Sequence, residues 1–214
     1  MLLIASGAVL LAGMALLTFF GGTTTQVPAG IRNASPGGGI GGPIRDVGAF
    51  SLTNHLGTSF TRNDLLGRPW AVNLIFTRCP GPCTQLSGVM RTVQSKLPKA
   101  SVAGILSLTS DPEHDGPEVL SAYATKFGAE TGRWHFVTGA KSEIRRLAVE
   151  DLMLVVQEKS PELRESPEDL FLHSTMIILV DAQSRIRRVV EGLEPGAAEA
   201  VLSALADLER ESKR

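Results

Sequence analysis

The sequence predicts a mixed α/β domain, and three patterns predict it. From residue 49 onward, apolar runs of strand length alternate with stretches of helical period. The chain's two cysteines, Cys79 and Cys83, directly follow one of those apolar runs and stand at the head of a helical stretch. Towards the C-terminus, two apolar runs separated by a short turn precede a last amphipathic helix. Together these describe a central mixed sheet flanked by helices, with a β-hairpin extension before it.

Taken in order, residues 49–53 and 58–60 flank Asn54-His55-Leu56-Gly57 and form the hairpin. Residues 61–66 suit a short helical turn stopped by Gly67. Residues 70–76 are apolar almost throughout and form a buried strand. In 84–97, Leu86, Val89, Met90, Val93 and Leu97 make one helical stripe, with Pro98 behind it. A strand over 101–109 follows. Gly116-Pro117 opens the next helix, with proline at its first position, and Gly128 closes it. Then come a strand over 134–138, a helix over 141–150 and a strand over 153–157. After a charged stretch, 171–181 and 186–190 are strands joined by a turn at 182–185. A helix over 195–211 ends the chain, with Val201, Leu202, Leu205 and Leu208 on one side. A dithiol at a strand-to-helix turn is where thioredoxin-like folds do their chemistry, so the expected architecture is a thioredoxin-like sandwich.

The first residues read differently. Residues 1–20 carry no charged side chain. At about 1.5 Å per residue they match the roughly 30 Å hydrocarbon core of a bilayer. They are expected to be a transmembrane anchor or an uncleaved signal. No Lys or Arg precedes the run, and Arg32 is the first basic residue after it, so flanking charge does not set its orientation. Residues 21–43 are rich in Gly, Thr and Pro and read as a flexible tether. Residues 44–214 are the folded domain, expected as a tethered monomer facing the periplasm or an equivalent extracytoplasmic space. There, an unligated cysteine pair tends to close into a disulfide. A formal net charge of −1, without a basic run carrying interleaved aromatics, argues against nucleic acid as a partner.

With no other cysteines, Cys79 and Cys83 form one local site, either a redox dithiol or part of a metal site. Positions four apart at the start of a helix share a face. A helix N-terminus favours negative charge, which populates thiolate, the nucleophile of disulfide exchange and a soft ligand that selects Cu(I). His173 begins the apolar run that leads to Val180. It suits either a core histidine bonded to nearby backbone or a nitrogen ligand. A thioredoxin would carry proline just before the equivalent strand; here Phe171-Leu172 precede His173 and the nearest proline is Pro167. That favours the ligand.

Other residues have simpler expectations. Asp111 and Asp115 shape a turn and cap the helix that Gly116-Pro117 opens. His114 and His135 are surface and loop residues, and His55 is a solvated residue at the hairpin tip. Trp70 and Trp134 are core aromatics. Residues 159–169 form a charged, solvated loop that is a candidate flap or docking surface beside His173.

Four segments in compatible order resemble the Sco/SenC family: Ile75-Phe-Thr-Arg-Cys-Pro-Gly-Pro-Cys83, Ser110-Asp-Pro-Glu-His-Asp-Gly-Pro-Glu-Val-Leu120, residues 134–139, and His173-Ser174 before an apolar strand. The resemblance covers nearly all of residues 50–192. It implies a membrane-anchored copper metallochaperone of thioredoxin-like fold. By resemblance, Cys79, Cys83 and His173 are the metal ligands, and the partner is the copper-receiving subunit of a terminal oxidase. Two thiolates and an imidazole suit Cu(I), and Cu(II) with help from a further ligand. Structural Zn(II) would want a fourth ligand. The chain departs from the family pattern at Gly81, where Asp is common, at Thr84, where Pro is common, and at Leu172, where an acidic residue is common. The alternative of another class is a membrane-tethered thiol–disulfide reductase that uses Cys79 and Cys83. A thiol peroxidase fits less well, because no polar partner for a peroxidatic cysteine is evident.

Overall fold

A computed structural model describes residues 41–79, 81–164, 166 and 170–214, with the side chains of Leu172 and His173 outside it. The predicted anchor, residues 21–40 of the predicted tether, and Pro80, Pro167, Glu168 and Asp169 lie outside the described residues. Among those described, no helix is long and apolar enough to cross a membrane.

The elements run β1 (Arg45–Asp46), β2 (Ser51–Asn54), β3 (Ser59–Thr61), β4 (Trp70–Ile75), α1 (Pro82–Lys96), β5 (Gly104–Thr109), α2 (Pro117–Phe127), β6 (Trp134–Thr138), α3 (Lys141–Arg145), β7 (Val156–Glu158), β8 (Phe171–His173), β9 (Met176–Val180), β10 (Arg185–Glu191) and α4 (Ala197–Ser212). A 3₁₀ turn at Arg62–Leu65 follows β3, and a π-helical segment, Arg146–Asp151, extends α3. Eight strands form one mixed sheet in the order β1-β10-β9-β4-β5-β6-β2-β3. Its centre, β4-β5-β6, is parallel, while β9, β10 and the β2–β3 hairpin add antiparallel edges.

Strand period separates two cores. Ala71, Ile75, Ile105, Trp134, Phe136, Ile177 and Leu179 belong to one cluster, with Leu86, Met90 and Val93 of α1, Leu120 and Phe127 of α2, and Val201, Leu205 and Leu208 of α4. Trp70, Val72, Leu74, Leu106, Leu108, Val137, Ile178 and Val180 belong to the other, with Leu52, Phe60, Ile144 and Leu147. The alternation between neighbours in one strand follows from side chains pointing to opposite faces of a sheet. A parallel centre covered on both faces gives β4 its unbroken burial. Gly104 is opposite Trp70 in β4, and a Cβ there would lie 2.4 Å from the Trp70 ring, so only glycine fits. Gly128 closes α2 in the left-handed region at φ 67°, where the sequence places the stop.

Several boundaries differ from expectation, among them the start of β5, at Gly104 rather than 101. Helix α1 starts at Pro82 rather than 84, which brings Cys83 into its first turn. The strand expected over 153–157 shifts to Val156–Glu158, because Met153 adopts φ 57°. The single strand expected over 171–181 is two strands in two sheets. Strand β8 pairs with β7 in a separate two-stranded sheet, and only β9 joins the main one. Ser174 and Thr175 make the break. Ser174 donates its N–H to Val155 O at 3.0 Å, Met176 N–H bonds Ser174 Oγ at 3.2 Å, and Gly192 N–H bonds Thr175 O at 3.0 Å. The two backbone bonds carry on the β7–β8 and β9–β10 registers, one in each sheet, and the Ser174 hydroxyl bonds the chain locally between them; the apolar period is blind to such bonds.

Candidate metal centre

The strand-to-helix turn that carries the thiols follows from local chemistry. Strand β4 is buried to Ile75, and Phe76 continues into the same core. Gly81 occupies the position before α1 and Pro82 its first position, where a missing N–H costs nothing. Cys83 is fully buried and Cys79 is 9% exposed, and both face the core that α1, α2 and α4 close.

The turn folds backbone donors onto both sulfurs. Cys83 N–H donates to Cys79 Sγ, and Phe76 N–H donates to Cys83 Sγ, each at 3.4 Å. The hydrogen bond with Cys79, then burial, then the neighbouring charge of Cys79 push the Cys83 thiol far up from its ordinary value, against the pull of Phe76 N–H. Two coupled thiols therefore hold their second proton strongly. A soft cation that replaces that proton relieves the coupling, so the pair fits Cu(I) chemically. Below it, Tyr123 Oη lies 3.1 Å from Ser87 Oγ and donates to Cys83 O at 3.5 Å; burial pushes the Tyr123 hydroxyl up to about 12.

Strand β8 is held against this turn. The Phe171 ring packs on Phe76 with centroids 5.3 Å apart, and Leu170 and Phe171 both border the core that contains the two cysteines. His173 is the last residue of β8, opposite Val156 of β7.

Asp111 and Asp115 do shape a turn, since the N–H groups of His114 and Asp115 both bond Asp111 O. They do not cap α2, whose cap residue is Gly116 without a side-chain bond. Their carboxyl groups instead reach the cysteine turn. Asp111 Oδ2 accepts from Arg78 Nη2 at 2.6 Å and Nε at 3.2 Å. Asp115, fully buried, accepts from Thr77 N–H at 3.0 Å, Thr77 Oγ1 at 2.5 Å and Thr109 Oγ1 at 2.6 Å. Asp111, His114 and Asp115 bring ligand-type atoms within 4.8 Å of one another, but these bonds engage both oxygens of Asp115 and Oδ2 of Asp111.

Two histidines depart from expectation. His55 is 8% exposed rather than solvated, and its Nδ1 accepts Phe136 N–H at 3.2 Å. His135 is on β6, not in a loop, among the rings of His55, Phe60 and Trp70 at 6.2, 5.1 and 5.9 Å. Burial lowers both imidazoles; Arg68 and His55 lower His135 further. His114 is exposed, and Trp70 and Trp134 are buried core aromatics, as expected. A groove of about 890 Å³ runs between the hairpin tip and α2, past Leu56, His114 and Val119. It is lined by neither cysteine.

A family model described as SCO1/SenC matches residues 41–208. The chain belongs to the SCO1/SenC family. Among its relatives, the SCO1 protein homolog of Bacillus subtilis is 29% identical over 151 residues, which span 70% of this chain and 75% of that protein. The fold matches solved Sco structures. BsSco, described as having a disulfide switch and as a member of the Sco family of cytochrome c oxidase assembly proteins, superposes with a TM-score of 0.68 at 24% identity, over 79% of this chain and 97% of its own. Bradyrhizobium japonicum ScoI, solved with copper bound, gives a TM-score of 0.59 at 22% identity, over 77% and 98%.

Proposed function

We propose that this Sco protein is a copper carrier that holds one copper ion, favouring Cu(I), through Cys79, Cys83 and His173. It passes the ion by ligand exchange to the copper-receiving subunit of a terminal oxidase. The reading includes a transmembrane anchor or uncleaved signal over residues 1–20, a flexible tether over residues 21–43 and a folded part on the extracytoplasmic side. The observation that carries it is the pair of buried, coupled sulfurs with β8 packed over their turn through Phe171 and Phe76. His173 ends that strand, where its backbone pairs with Val156 of β7. Copper bound to ScoI of Bradyrhizobium japonicum and the oxidase-assembly description of BsSco support the cargo and its destination.

Within this reading the residues have distinct tasks. The Cys83 N–H holds the Cys79 sulfur in place, and Phe76 N–H does the same for Cys83. Burial keeps water from the sulfurs and makes loss of two protons costly without a metal. Cys79, the less buried thiol, is the one an acceptor's thiolate reaches first. Anaerobic Cu(I) titration of the reduced full-length protein against a competing chelator tests the assignment. One copper per chain, weakened by Cys79→Ser, Cys83→Ser and His173→Ala alike, agrees with it. Binding that ignores His173 contradicts the ligand set.

A second reading, a thiol–disulfide reductase, draws on the same adjacency of Cys79 and Cys83 and on the disulfide switch described for BsSco. It predicts turnover of a protein disulfide without copper. The two activities are compatible, because an acceptor's cysteines must be reduced before they take copper.

A further inference from the structure

The turn that presents Cys79 is not held by β4 and α1 alone. It is fastened from the side by the loop between β5 and α2. Asp115 takes three hydrogen bonds from threonines, two of them from Thr77, which is two residues before Cys79. Thr109 Oγ1, at the end of β5, donates to Asp115 Oδ2 and accepts Asp111 N–H at 3.0 Å, so one hydroxyl joins the two acidic residues. The loop is therefore stiffened where it grips. Asp111 pairs with the guanidinium of Arg78, the residue between Thr77 and Cys79. His114 Nδ1 lies 3.0 Å from Asp115 Oδ1 and completes the cluster.

A carboxyl group that is fully buried and bonded on both oxygens is costly to place for packing alone. Here it satisfies the Thr77 N–H, a backbone donor that has left the β4 ladder. We propose that Asp115, through Thr77 and Thr109, is a positioning residue for the dithiol, fixing where Cys79 stands relative to Cys83. The inference rests on the copper reading above and assigns the support that sets how tightly this site holds its ion. Groups that orient metal ligands without touching the metal typically change affinity by about 10–100-fold when removed. The same fastening sets the separation of the two sulfurs, so it also governs how readily they close into a disulfide.

The test uses the full-length protein and two readouts, Cu(I) affinity by chelator competition and the dithiol–disulfide midpoint in glutathione buffers without metal. Asp115→Asn and Thr77→Val are expected to weaken Cu(I) binding by roughly 10-fold or more and to move the midpoint. Thr77→Ser, which keeps the hydroxyl, is expected to restore both. Circular dichroism and urea unfolding establish that each variant is folded; if Asp115→Asn is not, the Thr77 pair decides. Folded Asp115→Asn and Thr77→Val proteins with unchanged affinity and midpoint would overturn the proposal. So would a Thr77→Ser protein as impaired as Thr77→Val. If the unmodified protein binds no copper, the copper reading fails, and the metal-free midpoint alone decides the role of Asp115.

Discussion

The Phe171 ring meets the Phe76 ring edge-on, with centroids 5.3 Å apart and planes 68° apart. Phe76 leads into the dithiol turn and Phe171 opens the strand that ends in His173, so one aromatic contact joins the two halves of the candidate centre. Such pairs contribute about 0.5–1.5 kcal/mol beyond the area they bury. Phe171→Ala is expected to lower stability modestly, by roughly 1–2 kcal/mol for a half-buried ring. Copper affinity is expected to drop as well, but less than in His173→Ala. Urea unfolding and chelator competition measure the two effects; lost stability with unchanged copper binding would separate β8 from the site.

Unequal burial predicts unequal reactivity. Cys79 is 9% exposed and Cys83 is completely covered, with its thiol held protonated by its neighbour and by burial. Alkylation of the reduced, metal-free protein should label Cys79 first. Mass spectrometry should find the fast label in Cys83→Ser and not in Cys79→Ser. Equal rates at both positions would contradict the buried arrangement.

Acid should weaken the fold through His55 and His135. Both imidazoles are lowered from 6.5 by burial. The folded state therefore keeps them neutral, while the unfolded chain takes up protons as pH drops below about 6.5. Their contribution is fully present above that value and is lost towards the depressed folded values. The slope is at most about 1.4 kcal/mol per pH unit for each proton. Urea midpoints between pH 7.5 and 5 should decline, and His55→Gln with His135→Gln should flatten the decline. An unchanged slope in the double variant would place the acid sensitivity elsewhere.

Gly104→Ala tests the sheet centre. Its methyl group would meet the Trp70 ring at 2.4 Å in a fully packed core. Overpacking of this kind costs about 1–3 kcal/mol. A matching loss in urea unfolding is expected, with the thiol chemistry of Cys79 preserved. Unchanged stability would mean that the Trp70 ring moves aside freely.

Much of this was legible in the sequence because it rests on period and punctuation. The β2–β3 hairpin, strand β4, and α2 between Pro117 and Gly128 follow from alternation and from proline and glycine placement. The pairing of Cys79 with Cys83 follows from their spacing, and family membership from the motifs around them. What escaped depends on partners distant in the chain. Ser174 and Thr175 divide the strand expected over 171–181 because they bond to residues 155 and 192, one in each sheet. Asp115 has the composition of a helix cap, but Thr77, 38 positions earlier, claims it. His55 sits in a turn, where solvent is the natural expectation, yet β6 covers it. Period cannot see such contacts; only the assembled sheet brings them together.

The proposed centre holds one copper ion between two sulfurs and one imidazole nitrogen. X-ray absorption of the Cu(I)-loaded full-length protein, beside its His173→Ala variant, tests it most directly. Two sulfur scatterers and one nitrogen scatterer are expected around each copper, with the nitrogen lost in the variant. A spectrum that shows sulfur alone, or one unchanged by His173→Ala, would contradict it.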